Sequence, residues 1–436
     1  MRKKQVFNNA KWIIICKIIQ SLLQLVIGML CARYLGPSNY GLINYATAIV
    51  SFAVPIMRLG FDGTLVNELI EHPEKEGAIM GTSLAMTLCS AIVCCFGVNA
   101  FAYFANADDF TTFIVCLLFS LVLIFTALET IQYWFQYKLI SKYSSIVMLI
   151  SYTIASGYRV FLLVTEKSVQ WFALTNSLDI GIIAIVLIII YFKRGAQPFS
   201  FSFSLGKKML ARSKHFILAS LLIHILQNID RIMLTSIKGN AETGFFSAAV
   251  TTAALAQFVY VAIIDSYRPL IFSNKNTNIA AYEKNISGLY CIITYMAIAQ
   301  GIVFTVFAPL IINILYGAEY SAAIPVLQVL VWYIAFSIMG GVRNIWLLAE
   351  EKQKYLWRIN LFGVVANIVM NIVLIPNLGA IGAAIASLAT QMFINFGLGF
   401  VMKPIRSNNV LMLKGLSPKF AYNFFKATAL QLLKKH

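Results

Sequence analysis

Apolar stretches of roughly 20 residues follow one another along the whole chain, and short polar segments separate them. A stretch of that length crosses the hydrocarbon core of a bilayer, about 30 Å thick, as a single α-helix. The pattern therefore predicts twelve membrane-spanning helices. They cover approximately residues 12–32, 42–58, 78–102, 112–136, 144–165, 169–192, 215–236, 245–266, 287–315, 322–348, 357–375 and 380–402.

The basic residues of the polar segments alternate along the chain. Every second segment, beginning with the first, is rich in lysine and arginine, whereas the intervening segments hold only Arg33, Lys167 and Lys238. Cytoplasmic loops of membrane proteins carry such an excess of positive charge. The alternation supports twelve spans and predicts that both termini lie in the cytoplasm.

Composition agrees with an all-α, polytopic membrane protein. The chain is 60% hydrophobic and 12% charged, whereas a soluble domain carries about 25% charged residues. Its net charge of +17 is explained by the cytoplasmic loops, so we expect no nucleic-acid partner. The seven cysteines lie in or beside apolar stretches without the spacing of zinc ligands, so we expect neither a metal nor a bound cofactor.

Two short turns resemble each other at an offset of 203 residues. Gly36 to Gly41 follows the first span and Gly239 to Gly244 follows the seventh, and both read G-x4-G. Because six is even, two halves of six spans enter the membrane in the same sense, which predicts a parallel repeat with a central cavity between two lobes. The predicted parts are a first lobe at 1–192, a cytoplasmic linker at 193–214, a second lobe at 215–402, and a cytoplasmic tail with an amphipathic helix at 403–436.

Three stretches resemble the polysaccharide transporter family. They are ARYLGPSNYGLINYATAIVSF from Ala32, RLGFDG from Arg58, and NIDRIMLTSIKGNAETGFFSAA from Asn228. This family includes O-antigen and capsule repeat-unit flippases and belongs to the superfamily of the multidrug extruders and lipid II flippases. The resemblance covers the whole chain in length, number of spans and loop spacing.

The resemblance implies a V-shaped bundle that works by alternating access in the bacterial cytoplasmic membrane. The implied substrate is an undecaprenyl-pyrophosphate-linked oligosaccharide, moved from the inner to the outer leaflet. A gradient of H+ or Na+ would drive the transport. Membrane lipid, a polysaccharide polymerase and a chain-length regulator are the other implied partners.

Cationic side chains inside the spans are candidates for binding the pyrophosphate, because ionisable groups in a membrane are costly and guanidinium groups fit phosphate oxygens. They are Lys17, Arg159, Arg231 and Arg343. Polar stripes on the first helix of each predicted lobe support two of them. The stripe of the first span adds Gln20 and Gln24 to Lys17, and that of the seventh adds His224 and Gln227 to Arg231. The alternative is that these cations reach the membrane surface along extended side chains.

Three acidic residues inside the spans are candidates for ion coupling: Asp179, Glu129 and Asp230. A carboxylate at this depth either pairs with a cation or binds a proton, and structural ion pairing is the competing interpretation. Arg58, at the end of the second span, is expected to be an interfacial anchor.

Two other functions stay open from the sequence. A multidrug extruder of the same fold is expected to have an acidic cavity, whereas the charges inside these spans are mostly basic. A membrane-embedded glycan polymerase or ligase needs a large extramembrane domain or long loop, and the outer loops are short. The sequence also lacks the G-x4-G-K-[ST] motif of ATP-hydrolysing proteins, so we do not expect an enzyme.

Overall fold

A computed structural model describes the backbone of residues 2–107 and 109–433, and in this part of the chain all regular structure is helical. The helices are α1 (Arg2–Met57), α2 (Leu65–Glu71), α3 (Glu76–Ala105), α4 (Phe110–Ser120), α5 (Val122–Glu129), α6 (Gln132–Tyr137), α7 (Ser141–Val164), α8 (Val169–Lys193), α9 (Phe203–Lys238), α10 (Asn240–Ala253), α11 (Gln257–Lys275), α12 (Ile279–Tyr316), α13 (Ala323–Ala349), α14 (Leu356–Met392), α15 (Leu398–Val401), α16 (Arg406–Leu416) and α17 (Pro418–Leu433). A π-helical turn, Phe393–Gly397, joins α14 to α15.

Ten helical segments of the described chain are long and apolar enough to cross a membrane. Each of the twelve predicted spans overlaps one of them, which confirms the predicted fold class of a polytopic helical membrane protein. The segments Cys16–Met57 and Gln353–Val401 each contain two predicted spans. A glycine with positive φ interrupts the helical backbone inside each: Gly36 (φ 68°, ψ 171°) and Gly379 (φ 55°, ψ −133°).

The described chain divides into two compact units, residues 1–244 and 245–436. In the first unit, α1 packs against α7 and α9, and α3 packs against α5 and α9. In the second unit, α12 packs against α13 and α16, and α13 packs against α14. This division places α9 with the first unit because α9 packs against α1 and α3. The predicted lobes and the linker at 193–214 stay predictions.

The predicted tail also contains helices. Gly415 of α16 lies so close to Ser287 of α12 that a Cβ atom would clash with its carbonyl oxygen. Phe420 and Phe424 of α17 stack with their ring centroids 5.9 Å apart, and the Phe424 ring fills the space beside Gly288. An apolar side of the tail therefore packs onto the second unit.

Candidate functional site

An open cavity of about 300 Å³, lined by both polar and apolar side chains, lies in the first unit. The second half of α1, with α4, α5 and α8, forms its walls, so the cavity lies within the membrane-spanning segments. The polar residues that line it are Thr47, Ser51, Arg58, Thr126, Glu129, Asn176 and Asp179. Two of the three predicted coupling acids, Glu129 and Asp179, are therefore brought to one cavity.

Arg58 is held at this cavity by the turn that follows α1. Its Nη1 atom lies 3.2 Å from Asp62 Oδ2, and its Nη2 atom lies 3.9 Å from Glu129 Oε2. Tyr133 donates a 2.7 Å hydrogen bond to the other carboxylate oxygen of Asp62. The guanidinium, which stays charged in proteins, therefore has two carboxylates beside it. The side chain of Arg58 thus lines the cavity, and its expected role as an interfacial anchor stays a prediction.

The two acids of the cavity have different partners. Glu129 is 7% exposed and faces Arg58. Asp179 is 8% exposed, and Ser151 donates to its Oδ1 atom at 2.7 Å and to its backbone oxygen at 2.6 Å. A buried carboxylate is costly unless it is paired, protonated or bound to a cation. The cavity therefore has the chemistry to take up and release a small cation.

Arg159 lies beside the cavity without entering its wall. Its Nη2 atom donates to Asn176 Oδ1 at 2.7 Å, and its Nη1 atom donates to the Tyr152 hydroxyl at 3.0 Å. Asn176 lines the cavity together with Asp179, one turn away on α8. Sequence reasoning missed Asn176 because a single amide in an apolar span gives no distinctive pattern.

The two predicted polar stripes occupy exposed faces of α1 and α9. On α1, Lys17 and Gln24 are exposed and Gln20 is half-buried. On α9, Gln227 is exposed, whereas His224 and Arg231 are half-buried. Among these residues, Arg231 is held in place by Asn228, whose Oδ1 atom accepts a 2.9 Å bond from Nη1. Asp230, the third predicted coupling acid, is buried, with 4% of its surface exposed, and it is not among the residues that line the cavity.

Arg343 has a different environment from the other cations. It lies on α13 in the second unit and is 5% exposed. Its Nη1 atom donates to the backbone oxygen of Ile394 at 2.8 Å, and its Nη2 atom donates to Asn344 at 3.3 Å. Because Ile394 belongs to the π-helical turn, where the regular ladder of backbone bonds is interrupted, this geometry favours a structural role for Arg343.

The two G-x4-G turns contact each other within the first unit. Their first glycines adopt the same backbone conformation: Gly36 has φ 68° and ψ 171°, and Gly239 has φ 93° and ψ 177°. Their second glycines lie where the two backbones meet. A Cβ on Gly41 would collide with the backbone of Asn240 and Gly244, and a Cβ on Gly244 would collide with the backbone of Pro37.

One group of side chains in the described residues has ligand atoms close enough to hold a metal ion. Glu68, Glu71 and His72 offer atoms within 4.8 Å of one another. However, Arg212 Nη1 lies 2.5 Å from Glu68 Oε1 and 3.1 Å from Glu71 Oε2. The guanidinium already compensates the two carboxylates, so we assign no metal to this group.

The fold is shared with solved structures of membrane transporters. A structure of the lipid II flippase MurJ in an inward closed conformation is 15% identical with a TM-score of 0.73, and the alignment covers 93% of this chain and 90% of that one. An inward-facing multidrug resistance MATE family transporter of the MOP superfamily is 14% identical with a TM-score of 0.68, covering 91% and 96%. These likenesses define the class: a multi-pass, all-helical membrane protein with the two-lobe MOP fold.

The family follows from the sequence match. The family described as "Polysaccharide biosynthesis protein" matches residues 6–275, and the chain belongs to it, which confirms the resemblance found in the sequence. A relative from Methanocaldococcus jannaschii, "Uncharacterized membrane protein MJ1068", is 22% identical over 420 residues, which cover 88% of this chain and 81% of the relative.

Proposed function

We propose that this protein is a flippase for polyprenyl-pyrophosphate-linked oligosaccharide repeat units. It moves O-antigen or another surface polysaccharide unit from the inner to the outer leaflet of the bacterial cytoplasmic membrane. The observation that carries the proposal is the membership of a polysaccharide biosynthesis family by a chain that has the fold of a lipid II flippase. Membership of the family already makes this a membrane protein of the polysaccharide biosynthesis family; the transported unit is the part that we propose.

The chemistry of the first unit supports ion-coupled alternating access. A carboxylate pair at one cavity, Glu129 and Asp179, offers a place for H+ or Na+ within the membrane-spanning segments. Arg58 connects this cavity to the turn after α1 through its contacts with Glu129 and Asp62. Binding of a cation at Glu129 would weaken its attraction to Arg58, and such a change is the kind that shifts an equilibrium between two conformations.

The predicted substrate-binding residues keep their proposed role on the exposed stripes of α1 and α9. A pyrophosphate needs compensating charge inside the membrane. Lys17→Ala and Arg231→Ala are expected to reduce transport while the amount of protein in the membrane stays the same. Arg159 and Arg343 stay candidates for the same role, although their guanidinium groups are engaged in polar bonds within their own units in this structure.

The decisive experiment analyses lipid-linked glycans from cells that lack this protein. Complete single repeat units on the polyprenyl carrier should accumulate, and the surface polymer should be lost, because synthesis precedes translocation and polymerisation follows it. Restoring the gene should reverse both changes. Unchanged lipid-linked glycans with intact surface polymer would refute the flippase proposal.

A multidrug extruder is the second candidate. The observations in its favour are the shared fold with a MATE family transporter and the two carboxylates of the cavity. Drug susceptibility of the same deletion strain separates the candidates: increased sensitivity to cationic drugs with normal surface polymer would favour the extruder. A glycan polymerase or ligase is the least favoured candidate, because it needs a large extramembrane domain or long loop and the predicted outer loops are short.

A further inference from the structure

The helices α16 and α17 are fixed on the second unit, so that each has one buried side and one outer side. Ser287 of α12 donates to the Leu411 carbonyl oxygen of α16 at 3.0 Å, and the Tyr290 hydroxyl donates to Asn408 Oδ1 at 3.0 Å. Asn408 and Met412 are fully buried on this side of α16. The side chains on the opposite side of the helix therefore form a defined outer surface.

Helix α17 lies beside the part of α12 where a row of exposed apolar side chains begins. The Phe425 ring meets the Tyr295 ring edge-on, with centroids 6.1 Å apart. The row follows Tyr295 at spacings of three and four residues, which place it on one face of α12. Its members, 40–65% exposed, are Ile298, Ile302, Val306 and Leu310. Because α12 is long and apolar enough to cross a membrane, this row fits the hydrocarbon of the bilayer, and α17 lies at its predicted cytoplasmic end.

The outer side of α17 is cationic and aromatic. Lys419, Tyr422 and Lys426 follow one another at spacings of three and four residues, share one face of the helix and are all exposed. The Lys426 Nζ atom lies 5.7 Å from the centroid of the Tyr422 ring. Phe424 lies on the opposite side of α17 and packs beside Gly288. Lysine and tyrosine at the edge of a lipid-facing surface are typical of a helix at the level of the lipid headgroups.

The outer side of α16 continues this character. Arg406, Val410 and Lys414 are spaced by four residues, share one face of the helix and are all exposed. The six exposed side chains on the outer sides of the two helices are called the tail surface below. They are Arg406, Val410, Lys414, Lys419, Tyr422 and Lys426.

The cations of the tail surface have no acid to neutralise them. The sequence contains no aspartate or glutamate after Glu351. Within the part of the chain that the structure describes, no carboxylate forms an ion pair with a cation of the tail surface. Elsewhere on the predicted cytoplasmic side acids do pair with cations, as Glu350 does with Lys275. The tail surface therefore carries positive charge that attracts an external anion.

We propose that the tail surface binds anionic phospholipid of the cytoplasmic leaflet. Anionic lipids give this leaflet a negative surface potential, and each lysine or arginine beside it adds to the attraction. A soluble anion would meet the same charges, but it has no hydrocarbon chain to lie along the apolar row of α12. The proposal concerns the surrounding membrane and does not depend on the substrate that the protein transports.

The binding test uses the full-length protein in phosphatidylcholine nanodiscs with a small fraction of phosphatidylglycerol that carries a diazirine near its headgroup. After illumination and digestion, mass spectrometry should find label in peptides that cover residues 403–426. Replacing part of the phosphatidylcholine by unlabelled phosphatidylglycerol should lower this label, whereas phosphatidylethanolamine or soluble glycerol 3-phosphate should not.

Three results of this test would overturn the proposal. An equal loss of label with phosphatidylethanolamine would show ordinary bilayer lipid beside the tail. Loss of label with glycerol 3-phosphate would show a site for a soluble anion. Label found only in other parts of the chain would show that the tail surface binds no lipid of this kind.

The two lysines of α17 provide the variant that tests the charge. Lys419→Gln with Lys426→Gln should lower the labelling at least about tenfold, since a lysine near an anionic surface is worth roughly a fivefold change in affinity. Lys419→Arg with Lys426→Arg keeps the charge and should keep the labelling. Lys414→Gln, on α16, is the variant to use if the glutamine pair does not accumulate, and it should lower the labelling about fivefold.

The matched control removes the same charge from another helix. Lys207 and Lys208 are exposed on α9, and Lys207→Gln with Lys208→Gln should leave the labelling of residues 403–426 unchanged. An equal loss in this control would show that the overall charge of the protein, and not the tail surface, attracts the lipid. That result, or unchanged labelling of the variants on α16 and α17, would refute the proposal.

Discussion

The contact between the two glycine turns gives a prediction with an unusual sign. Alanine in place of glycine within a helix normally stabilises a protein by about 0.5–1 kcal/mol. In Gly41→Ala, however, the new Cβ would come within 2.7 Å of the Gly244 nitrogen and 2.8 Å of the Asn240 carbonyl carbon, and closer still to the Asn240 oxygen. In Gly244→Ala it would come within 2.8 Å of the Pro37 carbonyl carbon.

The cost follows from the atoms involved. Carbon atoms in contact need about 3.5–4.0 Å between them, and the colliding atoms belong to backbone, so no side-chain rotation can relieve the overlap. The turns must separate by roughly 1 Å or more. Overpacking of this kind costs about 1–3 kcal/mol, and at a backbone contact the upper end applies. We expect Gly41→Ala and Gly244→Ala each to destabilise the closed contact by about 3 kcal/mol.

Thermal unfolding in detergent and hydrogen–deuterium exchange measure the effect. Both variants should unfold at lower temperature than wild type, and peptides covering 37–46 and 238–249 should exchange faster. Gly157→Ala, where a Cβ meets open space, should be neutral or stabilising. Because either substitution alone separates the turns, Gly41→Ala with Gly244→Ala should cost clearly less than the sum of the two. Equal stability of Gly41→Ala and Gly157→Ala, or strict additivity of the pair, would refute the reasoning.

Other predictions concern the acids. Glu129→Gln and Asp179→Asn should each reduce transport about tenfold or more and weaken its dependence on the H+ or Na+ gradient, while the amount of protein stays the same. Transport into reconstituted vesicles with an imposed gradient measures this. An unaltered ion dependence in both variants would exclude coupling at the cavity. Burial raises the pKa of Glu350, but hydrogen bonds from Lys275 and Tyr282 and the nearby charge of Lys275 hold it below the ordinary value of 4.5. A lowered folded-state pKa stabilises the protein above pH 4.5, and this stabilisation is lost as the pH falls through the folded value. Glu350→Gln should therefore lower the free energy of unfolding by about 1–3 kcal/mol at neutral pH and converge with wild type in acid; thermal unfolding against pH tests this, and a constant difference at all pH values would contradict it.

The helices could be predicted from the sequence because a bilayer imposes strict rules on it. A lipid-exposed backbone must be fully hydrogen-bonded, so spans are helices of nearly fixed length, and their apolar runs are visible in one dimension. The glycine breaks at Gly36 and Gly379 allow two spans to follow each other without a loop. Sequence analysis could place such spans, while the continuity of the helical segments across the breaks was visible only in three dimensions.

The candidate site was only partly predictable. Glu129 and Asp179 stand out because a carboxylate in an apolar run is costly, and both line the cavity. Arg58 did not stand out, because a cation at a span end usually anchors the helix at the membrane surface. Its direction depends on the turn after α1, where Leu59 and Gly60 both have positive φ and Ser213 of α9 donates to the Leu59 carbonyl at 2.7 Å. Long-range contacts of this kind leave no local signature.

The two repeated turns contact each other, which a comparison of the two half-sequences does not reveal. Equivalent turns in a parallel repeat share a conformation, as Gly36 and Gly239 do, but sharing a conformation does not require that they touch. Here the second glycines lie at one backbone-to-backbone contact, in segments that the charge pattern assigns to the outer side of the membrane. If the proposed transport separates these turns, the close backbone contact of Gly41 and Gly244 is one that the motion has to open.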